Sequence, residues 1–227
     1  MGCLFDNNSA TRPAAPGNDL TRSGGGLGVW NETTGTDVSN LTIANTTFYN
    51  NQAANNGGGL AILTDSNSTN TSSTFLTSLT VYNNSCANGG GGLFASTLQT
   101  ARLPRIWNSI FGKNQAGQQS WDVYGPIVSR GHNLVSTTNG STGFDGTVDI
   151  LGAIGNAVDP GLDPNGLTDN GGWTETVRLV AGSLAYRAGD TNLWGWTSLD
   201  QRGYHRIGTD AAGNDVVSIG AYDPDAA

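Results

Sequence analysis

Carboxylates are the first residues to inspect for chemistry, because metal binding, sugar cleavage and acid–base work all need them gathered. The chain carries 18 Asp and Glu in 227 residues. The segment V-D-P-G-L-D-P-N-G-L-T-D-N-G-G (158–172) brings Asp159, Asp163 and Asp169 close together. Calcium takes several oxygens from carboxylates and carbonyls, so this loop is a candidate Ca2+ site. Its spacing does not fit an EF-hand, and Asp-Pro and Asp-Asn-Gly are also ordinary turn formers, which is the preferred reading. A second cluster, D-Q-R-G-Y-H-R (200–206), collects Asp200, Arg202, His205 and Arg206. It reads either as an active site or as an ion pair of Arg202 with Asp200 or Asp210, pinning the final segment onto the last coil. The ion pair is preferred.

Glycoside hydrolysis needs one carboxyl to protonate the leaving oxygen and another to activate water. Before residue 120 the acids are only Asp6, Asp19, Glu32, Asp37 and Asp65, thinly spread. A lyase would need a calcium-holding acid cluster beside a base, yet Arg102, Arg105 and Lys113 have no acids in register with them. His132, in R-G-H-N (130–133), stands apart from any carboxylate pair. No catalytic residue and no cofactor is therefore assigned. Trp194 and Trp196 in N-L-W-G-W offer stacking faces for a sugar, as do Trp121 and Trp173. Tryptophans also cover the ends of apolar cores, where they bury large area.

The elements that would position these residues come from a repeat. L-F-D-N-N-S-A (4–10), T-F-Y-N-N-Q-A (47–53), T-V-Y-N-N-S-C (80–86) and I-F-G-K-N-Q-A (110–116) align without gaps. Phe5, Phe48, Val81 and Phe111 share one position, and Asn8, Asn51, Asn84 and Asn114 share another. Gly24, Gly57 and Gly90 each open a run of glycines that leads into a short apolar strand, 33 residues apart. Such a period belongs to stacked-repeat architectures, and the Gly, Asn and β-branched content disfavours helical repeats. N-L-T-I-A-N-T-T-F-Y-N (40–50) and F-L-T-S-L-T-V-Y-N (75–83) alternate apolar with polar, the period of a strand.

The fold class expected is all-β, a right-handed parallel β-helix (solenoid) of about four coils over residues 1–157. Residues 158–227 are expected to form a last coil and a C-terminal capping module closing that end. Coils lie about 4.8 Å apart, so the four aromatic or valine residues form one inward apolar column. The four asparagines then sit at bends, where each amide bonds the next coil. Cys3 and Cys86 would lie about two coils apart, beyond disulfide reach, as two free and mostly buried thiols.

Charged residues make up only 12 %, and the net charge is −8. An acidic chain is a poor partner for nucleic acid or anionic lipid, and no apolar run is long enough to cross a membrane. The N-terminus shows no signal-peptide pattern and opens inside a repeat. The expectation is a fragment of a longer chain, or an end covered by a second copy that stacks into a fibre. Eight N-x-[ST] sequons occur, at Asn7, Asn31, Asn40, Asn45, Asn67, Asn70, Asn83 and Asn139, with Asn83 expected at a packed bend.

The F-x-x-N and G-G-[small]-[aliphatic] elements resemble the repeats of polymorphic outer-membrane autotransporter passenger domains. The chain is also similar to bacterial β-helix proteins bearing a choice-of-anchor Q type module. That similarity rests on R-G-H-N-L-V-S (130–136), the 158–190 segment, L-D-Q-R-G-Y-H-R-I-G-T-D (199–210) and V-V-S-I-G-A-Y-D-P-D (216–225). It departs from the family pattern at Leu184, Tyr186 and Arg187, and at Ser218 to Asp223. The resemblance implies an extracellular or cell-surface β-helix and little about chemistry. The function expected is a non-catalytic surface, structural or adhesive part of a larger or self-assembling protein. The alternative is a carbohydrate-active enzyme or carbohydrate-binding module, with a cell-surface glycan as partner.

Overall fold

The computed structural model describes residues 2–11, 22–31, 40–64, 73–96, 102–117, 119, 121–193 and 195–227. It is a solenoid of parallel strands wound into three sheets. The first coil contains β1 (Cys3–Asp6), β2 (Ser9–Ala10) and β3 (Leu27–Asn31). The second has β4 (Leu41–Tyr49), β5 (Gln52–Ala53) and β6 (Leu60–Thr64), and the third β7 (Thr74–Tyr82), β8 (Ser85–Cys86) and β9 (Leu93–Ser96). The fourth splits its long strand into β10 (Arg105–Trp107) and β11 (Ile110–Gly112), followed by β12 (Gln115–Ala116) and β13 (Val123–Pro126). A fifth coil holds β14 (Val128–Ser129), β15 (Leu134–Val135) and β16 (Ser141–Thr142), and β17 (Ile150–Leu151) begins a sixth.

The stack is thus taller than the four coils read from the sequence. Ser109 lies against Asn133, only 24 residues on, so the step from the fourth coil to the fifth is shorter than the 33 residues between Asn51 and Asn84, and the fifth coil itself is shorter still, with Leu134 paired to Ile150 after 16 residues. It drops both the glycine run and the F-x-x-N element that made the earlier coils visible.

Left-handed backbone bends set the corners. Asn45, Ser78, Asn108 and His132 have φ of 50°, 54°, 46° and 55° and kink the first sheet at one level. Asn7, Asn50, Asn83 and Lys113 (φ 53°, 55°, 60° and 52°) make the next corner. Asparagine tolerates this region because its short side chain bonds locally. At the third corner Gly57 (φ +63°) takes over, and a Cβ there would lie 2.4 Å from the Leu60 carbonyl oxygen.

Between corners, alternate side chains point inward. Phe5 pairs with Phe48, Phe48 with Val81, Val81 with Phe111, and Phe111 with Val135 in strict register. Phe48, Val81 and Phe111 are fully buried, and half-buried Phe5 stacks on Phe48 at 4.7 Å. At the far end, half-buried Phe144 and Leu151 pack against this core.

Residues 158–227 do not close the end of the solenoid. They run back along its flank as an arm over the outer face of the first sheet, from Leu134 and Ile150 down to Thr47. Leu162, Val177, Leu179, Ala185 and Ile219 of the arm bury Tyr82, Ile110 and Leu134. Thr47 Oγ1 donates to Gln201 Oε1 (2.6 Å), and Ala221 N–H donates to Thr80 Oγ1 (3.0 Å). Asn108 clamps the middle, exchanging bonds with the backbone of Asp190 at 2.8 and 3.1 Å. The cause is sequence-borne: consecutive apolar pairs, Ile110-Phe111 and Leu134-Val135, have one member facing outward, and that member must be covered. Among the described residues of the arm the paired strands are β18 (Gly208–Thr209) and β19 (Asp215–Val216), an antiparallel hairpin.

Candidate functional site

The most ordered polar feature is a buried amide ladder at the second corner. Asn8 donates its backbone N–H and its Nδ2 to Asn51 Oδ1, both at 2.9 Å. Asn51 treats Asn84 in the same way, and Asn84 treats Asn114. The remaining Nδ2 hydrogens reach carbonyls one coil back: Asn51 to Phe5, Asn84 to Phe48 and Asn114 to Val81. Asn51, Asn84 and Asn114 are all buried, and each is satisfied, as burial requires.

The ladder has a direction, and an acid ends it. Asp122 Oδ1 accepts from Asn114 N–H and Nδ2, while its Oδ2 accepts from the backbone N–H and hydroxyl of Thr137. Burial pushes this carboxyl above the usual carboxylate range, against four hydrogen bonds that favour the charged form. A second ladder follows the same plan: Ser109 N–H donates to Asn133 Oδ1, and Asn133 N–H and Nδ2 donate to Asp149 Oδ1. Asp149 Oδ2 takes the Ser129 hydroxyl and the Asp145 N–H. An acid suits a last rung because it only accepts.

The D-Q-R-G-Y-H-R cluster is a clamp inside the arm. Arg202 pairs with buried Asp200 at 2.7 Å, and its guanidinium lies between Tyr204 and Tyr222, 4.9 and 4.2 Å from their ring centres. Its Nη2 also donates to the Asp223 carbonyl (2.7 Å), tying the final residues down. Arg206 is fully buried and donates to the carbonyls of Leu199, Ser218 and Gly220. Burial lowers its pKa, and the nearby Asp223 and Asp200 carboxylates oppose that shift. Asp210 is not the partner of Arg202; it closes its own turn with Ala212 and Asn214. The clamp sits over the first two coils, since Gln201 contacts Thr47 and a Cβ on Gly2 would lie 2.6 Å from Gln201 Cγ. The expected anchorage on the last coil is therefore corrected. His205 is exposed.

The proposed calcium loop does not converge. Asp159 bonds Gly161 N–H, Asp169 bonds Gly171 N–H, and buried Asp163 pairs with Arg178 at 2.6 Å. Among the described residues no group of three or more His, Cys, Asp or Glu could hold a metal ion. Asp163 lies below the usual carboxylate range, chiefly through the Asn165 N–H it accepts. His132 fills the left-handed corner of the fifth coil, and its Nδ1 lies 2.9 Å from the Ala188 carbonyl, so that nitrogen carries the proton.

Trp194 and the side chain of Trp196 lie outside the described residues; the Trp196 backbone belongs to a 3-10 turn, Gly195–Ser198. Trp173 is 85 % exposed. Trp121 stacks on Tyr124 at 5.4 Å, and Tyr124 on Phe94 at 5.6 Å. Both cysteines are free, but only Cys86 is buried. Cys3 is exposed because it lies on the edge strand β1, which has a neighbour on one side only. Asn83 is likewise exposed: the buried rung is the residue after it, Asn84. Of the other sequons, Asn7, Asn40 and Asn139 are exposed and Asn45 is buried, while Asn67, Asn70 and the side chain of Asn31 lie outside the described residues.

The sequence reading named Asn8, Asn51, Asn84 and Asn114 but missed the second-ladder rung Asn133 and the two acids that end the ladders. Asp149 was findable, since it stands one residue before Ile150, as Asn133 stands before Leu134.

Residues 45–62 match the Chlamydia polymorphic membrane protein repeat. That stretch holds the kink at Asn45, the inward Phe48, the Asn51 rung and the Gly57 corner, so the similarity covers one complete corner-to-corner unit. No curated protein and no solved structure matches the chain.

Proposed function

We propose that the chain is a non-catalytic, surface-displayed segment of a bacterial β-helix protein, acting as a scaffold or adhesive stalk. The carrying observation is the state of its buried acids. Asp122, Asp149, Asp163, Asp200 and Asp223 are the buried carboxylates of the described residues. Each accepts hydrogen bonds that hold backbone or ladders in place, at both of its oxygens. General acid or base work needs a carboxyl free to exchange a proton with a substrate. The repeat match supports surface display, because the family it names consists of membrane proteins of that repeat type. The low charge and the Asn/Gly-rich surface fit the same setting.

The test pairs two readouts. Antibody against this segment should label intact cells expressing the native full-length protein, and the purified chain should release no reducing ends from neutral or acidic polysaccharides. Labelling only after lysis, or steady sugar release, overturns the reading.

A further inference from the structure

Before the kink, no described residue of the arm lines the outer face of the first sheet at its cavity. There the register stacks Thr42, Phe75 and Arg105 in one outward column, and Thr77 and Trp107 in the next. Together with Arg130 from the fifth coil they line a cavity of about 280 Å3. Its charge is unusual for this protein. The chain has 10 Lys and Arg against 18 Asp and Glu, and Arg178, Arg187 and Arg202 are paired with carboxylates. Among the described residues, Arg105 and Arg130 have no carboxylate partner and no acid lines the cavity. Arg105 is held in place by Ser73 Oγ (2.8 Å) and by the Phe75 ring 5.4 Å away, which leaves further N–H groups unused. Arg130 is exposed.

We propose that this groove binds a carboxylate-bearing sugar residue of an acidic glycan. Two guanidiniums supply charge-assisted bonds to the carboxylate. The Trp107 and Phe75 rings supply apolar surface for a sugar ring, and the Thr42 and Thr77 hydroxyls meet its hydroxyl groups. A cavity of this size lies at the small end of ligand pockets, which span roughly 300–1,000 Å3. An acidic peptide is a poorer occupant. Strand addition needs a free sheet edge, and the strands that carry Phe75, Arg105 and Trp107 are paired on both sides, β7 to β4 and β10, and β10 to β7 and β14. An anionic membrane is poorer still, because the net charge of −8 opposes it.

The site gives the proposed surface scaffold a ligand, and its test is separable from that reading. The purified chain is titrated with trigalacturonic acid, with its methyl ester and with a neutral galactotriose, following the indole N–H resonances by 15N NMR and heat by calorimetry. The acid should bind in the micromolar-to-millimolar range, shift the Trp107 indole signal, and weaken at least threefold as salt is raised. Ester and neutral sugar should bind at least tenfold more weakly. Arg105→Gln and Arg130→Gln should each reduce affinity five- to tenfold while the melting temperature stays within a few degrees. Equal binding of the neutral sugar, saturation unchanged in both variants, or no response at millimolar uronate overturns the proposal. Binding accompanied by cleavage keeps the site and overturns the non-catalytic reading instead.

Discussion

The outer face of the first sheet carries two surfaces on either side of one kink. After the kink its outward column is Thr47, Thr80, Ile110, Leu134 and Ile150, which grows more apolar up the stack and lies under the arm. Before it, the outward residues are Thr42, Phe75, Arg105 and Val128, bordering the open groove. Both halves belong to one sheet, continuous across the kink in β4 and β7 and split there into β10 and β11 and into β14 and β15. In the fourth coil the outward residue is apolar after the kink, Ile110, and charged before it, Arg105, whereas the covered Thr47 and Thr80 are polar and bond Gln201 and Ala221 of the arm. A parallel sheet whose two faces are both covered reads as consecutive apolar residues, and one with a wet face alternates. At Ile110 and Leu134 the sheet follows the first pattern, and the arm covers it there.

The largest effect should fall on the covered half. Ile110→Ala and Leu134→Ala each remove a fully buried side chain and should cost about 2–5 kcal/mol. Thr42→Ala, on the exposed rim of the open half, should stay within about 0.5 kcal/mol. Urea unfolding midpoints decide this. Comparable, small losses at all three positions would mean that the arm does not pack where it is described.

A smaller effect sharpens the contrast between paired and last-rung acids. The folded Asp122 carboxyl lies above its ordinary value of about 3.9 because burial disfavours its charge. The folded state therefore holds a proton that the unfolded chain has already released. The stabilisation tied to that proton is fully present below the ordinary carboxylate value and is lost as pH rises through the raised one. Asp223 acts in the same direction, again chiefly through burial. Asp225, lowered chiefly by its bond from Arg187, acts oppositely: its contribution is present above the ordinary value and lost as pH falls through the lowered one. With Asp122→Asn, the stability difference between native and variant chains should shrink as pH rises from 3 toward 7. A difference that widens instead would show that the four hydrogen bonds outweigh burial.

Much of this architecture was legible in the residues. Phe48, Val81 and Phe111 announce a stack because an inward column tolerates only apolar side chains, and Asn51, Asn84 and Asn114 announce corners because each follows the left-handed residue that turns the chain and its buried amide bonds the next level. The fifth coil escaped notice because it discards the glycine run and the F-x-x-N element, and its asparagine rung, Asn133, belongs to the second ladder. The placement of 158–227 was misread because the segment has little repetitive strand pattern of its own; its position is dictated by the outward Ile110 and Leu134, whose meaning appears only once the sheet is assembled. The groove was invisible for the same reason. Phe75, Arg105 and Arg130 are far apart in sequence and mean nothing until register makes them neighbours.

Register is consequently the point to measure. In a Cys3→Ser background, Phe75→Cys with Arg105→Cys places thiols on directly paired residues of adjacent strands, within the roughly 4.4–6.8 Å Cα range a disulfide accepts. Oxidation should close this pair quantitatively, while Phe75→Cys with Trp107→Cys, one inward–outward period out of step, should remain reduced. Equal closure of the two pairs, or bridging of the slipped pair alone, would contradict the stacking on which both the scaffold and the groove depend.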